Sequence, residues 1–190
     1  MKNKLKVIYG SSRQGRKGLP IARWIFGVAS EHSEFETEFI DLAEIGLPML
    51  DEPNHPRLQQ YQHQHTRDWS AKINPADAFI IVTPEYNYGY PAVLKNAIDF
   101  LHQEWLYKPV AFVSYGGVAG GTRSVQALRQ VISALKMVSI TESVNIPFFA
   151  KLIDENQHFK PDEHTAKSAK AIVAELARWS VNLKTLRNNK

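Results

Sequence analysis

Short apolar runs alternate along this chain with longer segments whose apolar positions recur every three or four residues. The short runs are rich in β-branched and aromatic residues, which is typical of buried strands. They predict five strands, at residues 5–9, 35–42, 78–83, 110–115 and 137–140. The runs AFIIVT and VAFVSY are apolar at almost every position, as expected for strands that are covered on both faces.

The intervening segments predict helices. Helical spacing of apolar residues extends over 21–29, 94–101, 125–135 and 169–183, and a weaker pattern covers 58–73. Strict alternation of strand and helix implies a parallel sheet with right-handed crossovers. We therefore expect a flavodoxin-like three-layer α/β/α sandwich with a five-stranded parallel sheet in the order 2-1-3-4-5, forming one domain over residues 1–190. In such a sheet the ligand site lies beyond the carboxyl ends of the strands.

Composition narrows the function. The chain has no cysteine, which excludes disulfides, thiolate metal sites and cysteine nucleophiles and is compatible with the cytoplasm, the location that we expect. The first ten residues lack the pattern of a secretory signal, and no apolar run is long enough to cross a membrane. The net charge of +4 is dispersed, so we expect no nucleic-acid partner; it indicates either a mildly basic surface or attraction of small anionic ligands.

The first candidate loop is GSSRQGRKG, residues 10–18, between the first strand and the first helix. A phosphate group requires approachable backbone N–H groups, hydroxyl donors and positive charge, and a loop that leads into a helix N-terminus supplies them. The pattern is neither a P-loop nor GxGxxG, so it suits a phosphomonoester better than a triphosphate. The alternative is a polar loop that only caps the helix.

The second candidate loop, in TPEYNYGYPAVLKNAIDF at residues 83–100, follows the third strand. Its three tyrosines could pack against a planar heterocycle, and the backbone near Glu85–Asn87 could bind the polar edge of that ring. The aromatic cluster could equally pack on a partner subunit. Trp105, which follows the next helix, is a candidate for such a contact.

The third candidate loop is SYGGVAGGTR, residues 114–123, after the fourth strand. Its four glycines imply close backbone approach, either to a ligand or within a tightly packed loop. Arg123 lies at a helix N-terminus, where its charge opposes the helix dipole, and this indicates a nearby anion or acidic partner.

The seven histidines do not predict a metal site. His63 and His65 are the closest pair, but on a helix residues two apart point to different faces. No serine has the GxSxG context of a hydrolase nucleophile. We therefore expect no metal site and no serine nucleophile.

In this order and spacing, GSSRQGRKG, PEYNYGYPAVLKNAIDF and VSYGGVAGGTRSVQALR resemble the NADPH-dependent FMN reductase family, which also contains quinone, azo-dye and chromate reductases. The resemblance implies FMN as the cofactor, NADPH or NADH as the co-substrate, and ping-pong transfer to a small electron acceptor. It implies that no side chain is catalytic, because FMN carries the chemistry. It also implies a homodimer or homotetramer with the flavin near a subunit interface.

The resemblance assigns a role to each loop. The phosphate would be held by Ser11, Arg13 and the backbone of Gln14, Gly15 and Arg16, where many family members have a small hydroxyl residue in place of Arg16. The isoalloxazine would be lined by Pro84, Glu85, Tyr86 and Asn87, and its other side would be closed by Ser114, Gly116 and Gly117.

Two rival functions use the same fold. A flavodoxin-type electron carrier would bind FMN without turning over NAD(P)H, although such carriers are commonly acidic and this chain is basic. A non-catalytic interaction or sensor protein would bind no flavin. The sequence favours the reductase and leaves the acceptor open among quinones, flavins, azo compounds and metal oxyanions.

Overall fold

The computed structural model describes residues 2–188, and within them five parallel strands form one sheet in the order β2-β1-β3-β4-β5. The strands are β1 (Asn3–Tyr9), β2 (Phe35–Asp41), β3 (Ala78–Pro84), β4 (Pro109–Tyr115) and β5 (Val138–Ile146). The predicted fold class and strand order are confirmed. Every residue of β3 and β4 is buried, which explains the unbroken apolar runs.

Helices cover both faces of the sheet. They are α1 (Leu19–Ser30), α2 (Leu42–Ile45), α3 (Gln64–Ile73), α4 (Ala92–Asp99), α5 (Thr122–Ala134) and α6 (Glu163–Asn188). One core contains α1, α6 and alternate β3 side chains such as Ile80. The other contains α3, α4, α5 and the intervening β3 side chains such as Phe79. Both cores therefore depend on the two-residue side-chain period of the same central strands.

The last strand is longer than its apolar run predicts. The run at 137–140 continues as strand to Ile146, through residues 141–145. Val110 of β4 pairs with Ser139, whereas Phe112 pairs with Ser143, so β5 carries two extra residues in a bulge. Four of the residues at 141–145 are polar, all except Val144, and they hide the strand in the sequence. Such residues are tolerated because β5 is an edge strand with one neighbour.

The helix predicted over 58–73 begins only at Gln64. A 3₁₀ turn, Pro56–Leu58, and irregular backbone precede it. His63 is therefore the residue before the helix, in extended conformation, and its ring stacks on that of His65 at 5.2 Å. The sequence argument placed both residues on a helix, where their rings would point to different faces. That argument was wrong because His63 lies before the helix. Among the described residues, no group of three or more His, Cys, Asp or Glu side chains could hold a metal ion.

Trp105 does not reach the surface. It is 1% exposed, its ring Nε1 donates to the carbonyl of Ile98 at 3.0 Å, and its ring centre lies 5.0 Å from that of Phe79. The suggestion of a subunit contact at this residue is wrong, because the tryptophan fills the core below α4.

Lys108 is a buried cation at the amino end of β4. It is 4% exposed, and its Nζ donates to the carbonyls of Asn74 at 2.8 Å and Ile73 at 3.3 Å, at the end of α3. Burial, followed by the nearby charge of Arg187, lowers the pKa of Lys108 to about 7. The ammonium group of Lys108 therefore loses its proton at a lower pH in the folded chain than in the unfolded chain.

This shifted lysine predicts a pH-dependent stability. Between pH 7 and the ordinary lysine pKa of 10.5, the unfolded chain binds a proton that the folded chain releases. The free energy of unfolding should therefore rise with pH in this window, by up to about 1.4 kcal/mol per pH unit. Lys108→Met should flatten the rise, and Lys170→Met, at an exposed site on α6, should keep it. Urea unfolding from pH 7 to 9 measures both; equal slopes in the wild type and Lys108→Met would contradict the shift.

Candidate active site

Three loops meet at the carboxyl ends of β1, β3 and β4 and enclose a cleft of about 300 Å³, at the lower end of the range for ligand sites. Parallel strands place these loops on one edge of the sheet although they lie far apart in the sequence. Eight of the predicted site residues line the cleft: Arg13, Gly15, Arg16, Pro84, Glu85, Tyr86, Gly116 and Gly117. The loops that the sequence singled out thus converge on one cavity.

The first loop presents unpaired donors. Among the described residues, the backbone N–H groups of residues 12–15 have no hydrogen-bond acceptor, and the guanidinium of Arg13 has no carboxylate partner. Gly15 has a φ of +70°, a left-handed conformation that glycine adopts without strain and that lets the loop turn here. A row of free N–H groups beside an unpaired cation is suited to a phosphate group.

Hydroxyl groups join the loops beneath the cleft. Ser11 is fully buried, and its Oγ lies 3.0 Å from the hydroxyl of Tyr86. The hydroxyls of Tyr9 and Tyr115 lie 3.2 Å apart, and burial raises the pKa of Tyr115. Tyr115 therefore remains a neutral phenol at the floor of the cleft.

The side chain of Arg16 has a partner within the chain. Its Nη1 and Nη2 each lie 2.5 Å from an oxygen of Asp41, and Nη1 also donates to the carbonyl of Ser11. Burial alone would lower the pKa of Arg16, but the hydrogen bonds and charge of Asp41 outweigh burial and raise it. Arg16 is therefore a fixed cation whose charge is largely neutralised.

The second and third loops are tied by an ion pair. Arg123 Nη1 donates to Glu85 Oε1 at 2.7 Å, and the Arg123 backbone N–H donates to Oε2 at 3.2 Å. The guanidinium also lies 4.0 Å from the centre of the Tyr88 ring. The acidic partner that the position of Arg123 indicated is thus Glu85, and the carboxylate itself caps α5.

The remaining predicted residues lie around the cleft rather than in its lining. Gln14 and Asn87 are exposed beside it. Ser114 is fully buried, with its Oγ 2.7 Å from the carbonyl of Gly120 and 2.9 Å from Asn145 Oδ1. The hydroxyl of Ser114 thus holds the glycine-rich loop in place.

Three lining residues were not predicted: Lys17, Tyr115 and Phe149. Lys17 and Tyr115 lie inside motifs that the sequence did single out. Phe149 lies in a 3₁₀ turn after β5 and packs edge-on against Tyr115, with ring centres 4.9 Å apart. No local signal distinguishes Phe149, because its place depends on the bulged course of β5.

The donor set and the walls fit FMN. The phosphate-binding features lie at one part of the lining, and Pro84, Tyr86, Tyr115 and Phe149 supply apolar and aromatic surface at another. A planar ring that carries a phosphomonoester matches this arrangement better than a small polar metabolite.

Comparison with known proteins identifies the class. The family model for NADPH-dependent FMN reductases matches residues 3–151, most of the chain, and the chain belongs to this family. An NAD(P)H-dependent FMN reductase of Schizosaccharomyces pombe is 45% identical over 136 residues, covering 70% of this chain and 68% of that protein. A 2-hydroxy-1,4-benzoquinone reductase of a Burkholderia species is 30% identical, covering 93% and 95% of the two chains.

The solved structure of FerB, an NAD(P)H:acceptor oxidoreductase flavoenzyme from Paracoccus denitrificans, shares the fold. It has a TM-score of 0.74 at 24% identity, covering 95% of this chain and 98% of that chain. The family assignment confirms an NAD(P)H-dependent oxidoreductase with FMN as cofactor, rather than an electron carrier alone. Among the described residues, no helix is both long and apolar enough to cross a membrane.

Close packing at Gly18 gives a test of the loop structure. A Cβ atom at Gly18 would lie 2.1–2.6 Å from atoms of the Tyr115 side chain, which the core holds in place. Gly18→Ala should therefore destabilise the protein by about 1–3 kcal/mol. Gly27→Ala is the matched control, since a Cβ there meets open space within α1 and should stabilise by up to about 1 kcal/mol. Denaturant unfolding compares them; equal stabilities would contradict the packing.

Proposed function

We propose that this chain binds FMN in the cleft described above and uses it to pass electrons from NAD(P)H to small quinones. When bound, FMN supplies the capacity to accept hydride from a nicotinamide and to reduce a second substrate. The observation that carries the assignment is the row of unpaired N–H groups with Arg13, next to a cleft with aromatic walls. We also propose that residues 1–190 form a single domain.

The first loop would hold the phosphate. Arg13 would donate a charge-assisted pair of hydrogen bonds, and the N–H groups of Gln14, Gly15 and their neighbours would complete the cradle. Ser11 is fully buried, so its part is to join this loop to Tyr86 rather than to face solvent.

The second and third loops would hold the ring. Pro84 and Tyr86 would supply flat contact surface, and the Glu85 carboxylate, engaged by Arg123, would leave its backbone to face the ring. The backbone N–H groups of Asn87 and Gly117 have no acceptor among the described residues. Such donors are suited to stabilising the negative charge that develops on the pyrimidine edge of a reduced flavin.

The choice of quinones as acceptors follows from the Burkholderia benzoquinone reductase, which matches nearly the whole chain. Azoreductases of Staphylococcus species match less closely, at 24% identity for that of Staphylococcus saprophyticus. Small planar quinones also suit a cleft with aromatic walls. Because NADPH is a donor of the cell interior and the chain lacks cysteine, we propose the cytoplasm as its location.

We further propose that the protein is a homodimer or homotetramer. Four exposed apolar side chains surround the cleft, and we call Tyr86, Tyr88, Val118 and Phe148 the apolar collar; Val118 is 74% exposed and Tyr88 70%. The N–H of Phe148 donates to the carbonyl of Gly117, which holds two of the contributing loops together. A second copy of the chain covering this collar would also cover part of the flavin site.

Arg13→Ala tests the phosphate assignment. The variant should bind FMN about ten- to a hundredfold more weakly, because one charge-assisted contact is lost, and should bind riboflavin, which has no phosphate, as before. Quenching of flavin fluorescence measures both affinities, and Arg178→Ala on the distant face of α6 is the control.

The reductase activity is tested in the same proteins. With FMN in excess, anaerobic NADPH should still bleach the flavin band of the variant. Unchanged FMN affinity would contradict the assignment, and no bleaching of the wild type would contradict the reductase.

Val118→Asp tests the assembly. A charge in the apolar collar should shift the protein towards monomers in sedimentation velocity, because a buried carboxylate at an interface has no partner there. Val181→Asp, at an exposed valine on α6, is the matched control and should leave the assembly unchanged. A monomeric wild type, or a Val118→Asp variant with the wild-type mass, would contradict the proposal.

A further inference from the structure

Arg16 connects three parts of the structure next to the phosphate loop. Its guanidinium is paired in a two-pronged arrangement with Asp41, at the carboxyl end of β2, and donates to the carbonyl of Ser11. The guanidinium carbon also lies 4.9 Å from the centre of the Tyr9 ring, at the end of β1. All the strong interactions of this side chain are therefore directed into the protein.

Asp41 is as firmly held as Arg16. It is 2% exposed, and its Oδ1 also accepts the N–H of Ala43 in the first turn of α2. A buried carboxylate costs free energy unless it is paired and hydrogen-bonded, and here both of its oxygens have partners. A negative charge at this position opposes the binding of an anion nearby. Its favourable effect is to hold Arg16 in place.

The bond to Ser11 fixes the direction of a donor. In a trans peptide unit the C=O and the following N–H point in opposite directions. When Arg16 holds the Ser11 carbonyl, the N–H of Ser12 must point away from the guanidinium. That N–H is one of those at residues 12–15 that have no acceptor among the described residues. Arg16 thereby orients one donor of this row.

We propose that Arg16 and Asp41 form a brace that positions the phosphate loop, and that Arg16 does not itself bind the phosphate. The inference rests on the proposed function, since it assumes that the loop holds the phosphate of FMN. The two arginines of the motif then have different roles: Arg13 is the phosphate ligand, and Arg16 is a positioning residue. The site therefore attracts FMN with the charge of Arg13 and with backbone donors that the brace keeps in place.

Asp41→Asn distinguishes a brace from a ligand by the sign of its effect. If Arg16 bound the phosphate, removal of the neighbouring negative charge would leave FMN binding unchanged or tighten it. If Arg16 is a brace, the weakened pairing releases the loop, and FMN should bind about ten- to a hundredfold more weakly. Arg16→Lys, which keeps the charge but lacks the planar fork, should weaken FMN to a similar degree.

Riboflavin is the matched ligand. The brace contacts the phosphate loop and none of the residues proposed to hold the ring, so riboflavin affinity should stay within roughly twofold of the wild type in both variants. Fluorescence titration of the apoprotein with each flavin, with thermal unfolding as a check on folding, gives all the values. Tighter or unchanged FMN binding in Asp41→Asn would overturn the brace. Equal loss of FMN and riboflavin would also overturn it, because the pair would then serve the fold in general.

Failure of the brace can be told apart from failure of the proposed function. If Arg13→Ala weakens FMN selectively and the Asp41 and Arg16 variants do not, the phosphate site stands and the brace is wrong. If Arg13→Ala also leaves FMN binding unchanged, the phosphate assignment itself is wrong. Should Asp41→Asn fail to fold, Asp41→Glu takes its place. It keeps the negative charge but moves the carboxylate, so a brace predicts weaker FMN binding, whereas a ligand role for Arg16 predicts little change.

Discussion

The complete burial of β3 and β4 is the constraint on which the rest of this structure depends. Strands that are apolar on both faces require helices on both faces, and the crossovers between parallel strands supply those helices. The same arrangement places every strand-to-helix loop at one edge of the sheet. Each of the three loops, polar, aromatic or glycine-rich, has an ordinary structural explanation when taken alone. Together they therefore form the walls of a single cleft.

Much of the fold and of the cleft could be predicted, because both depend on patterns that are local in the sequence. Alternating strand and helix periods predicted a parallel sheet, and five strands suited the flavodoxin-like order that the structure has. The motifs after β1, β3 and β4 contained most of the cleft lining. What could not be predicted depends on long-range pairing. Three features depend on such pairing: the bulge in β5, the contact of Phe149 with Tyr115, and the ion pair of Arg16 with Asp41. In each, the local sequence does not indicate which distant residue is the partner.

The distribution of charge within the site matters more than the net charge of +4. Arg16 and Arg123 both lie close to the cleft, but Asp41 and Glu85 neutralise them. Arg13 has no such partner among the described residues. The overall basic charge can assist the approach of an anionic nucleotide, whereas the choice of a binding position follows from which cation is left unpaired.

The two ion pairs also affect how tightly a glycine-rich site can hold a cofactor. Ordering a loop at the moment of binding reduces affinity by the entropy that is lost. Here Arg16–Asp41 ties the first loop to β2, Arg123–Glu85 ties the second loop to α5, and Ser114 holds the third loop by the carbonyl of Gly120. In the proposed binding mode, these polar side chains do not touch the ligand; they order the loops beforehand, so that the free backbone donors can face the flavin.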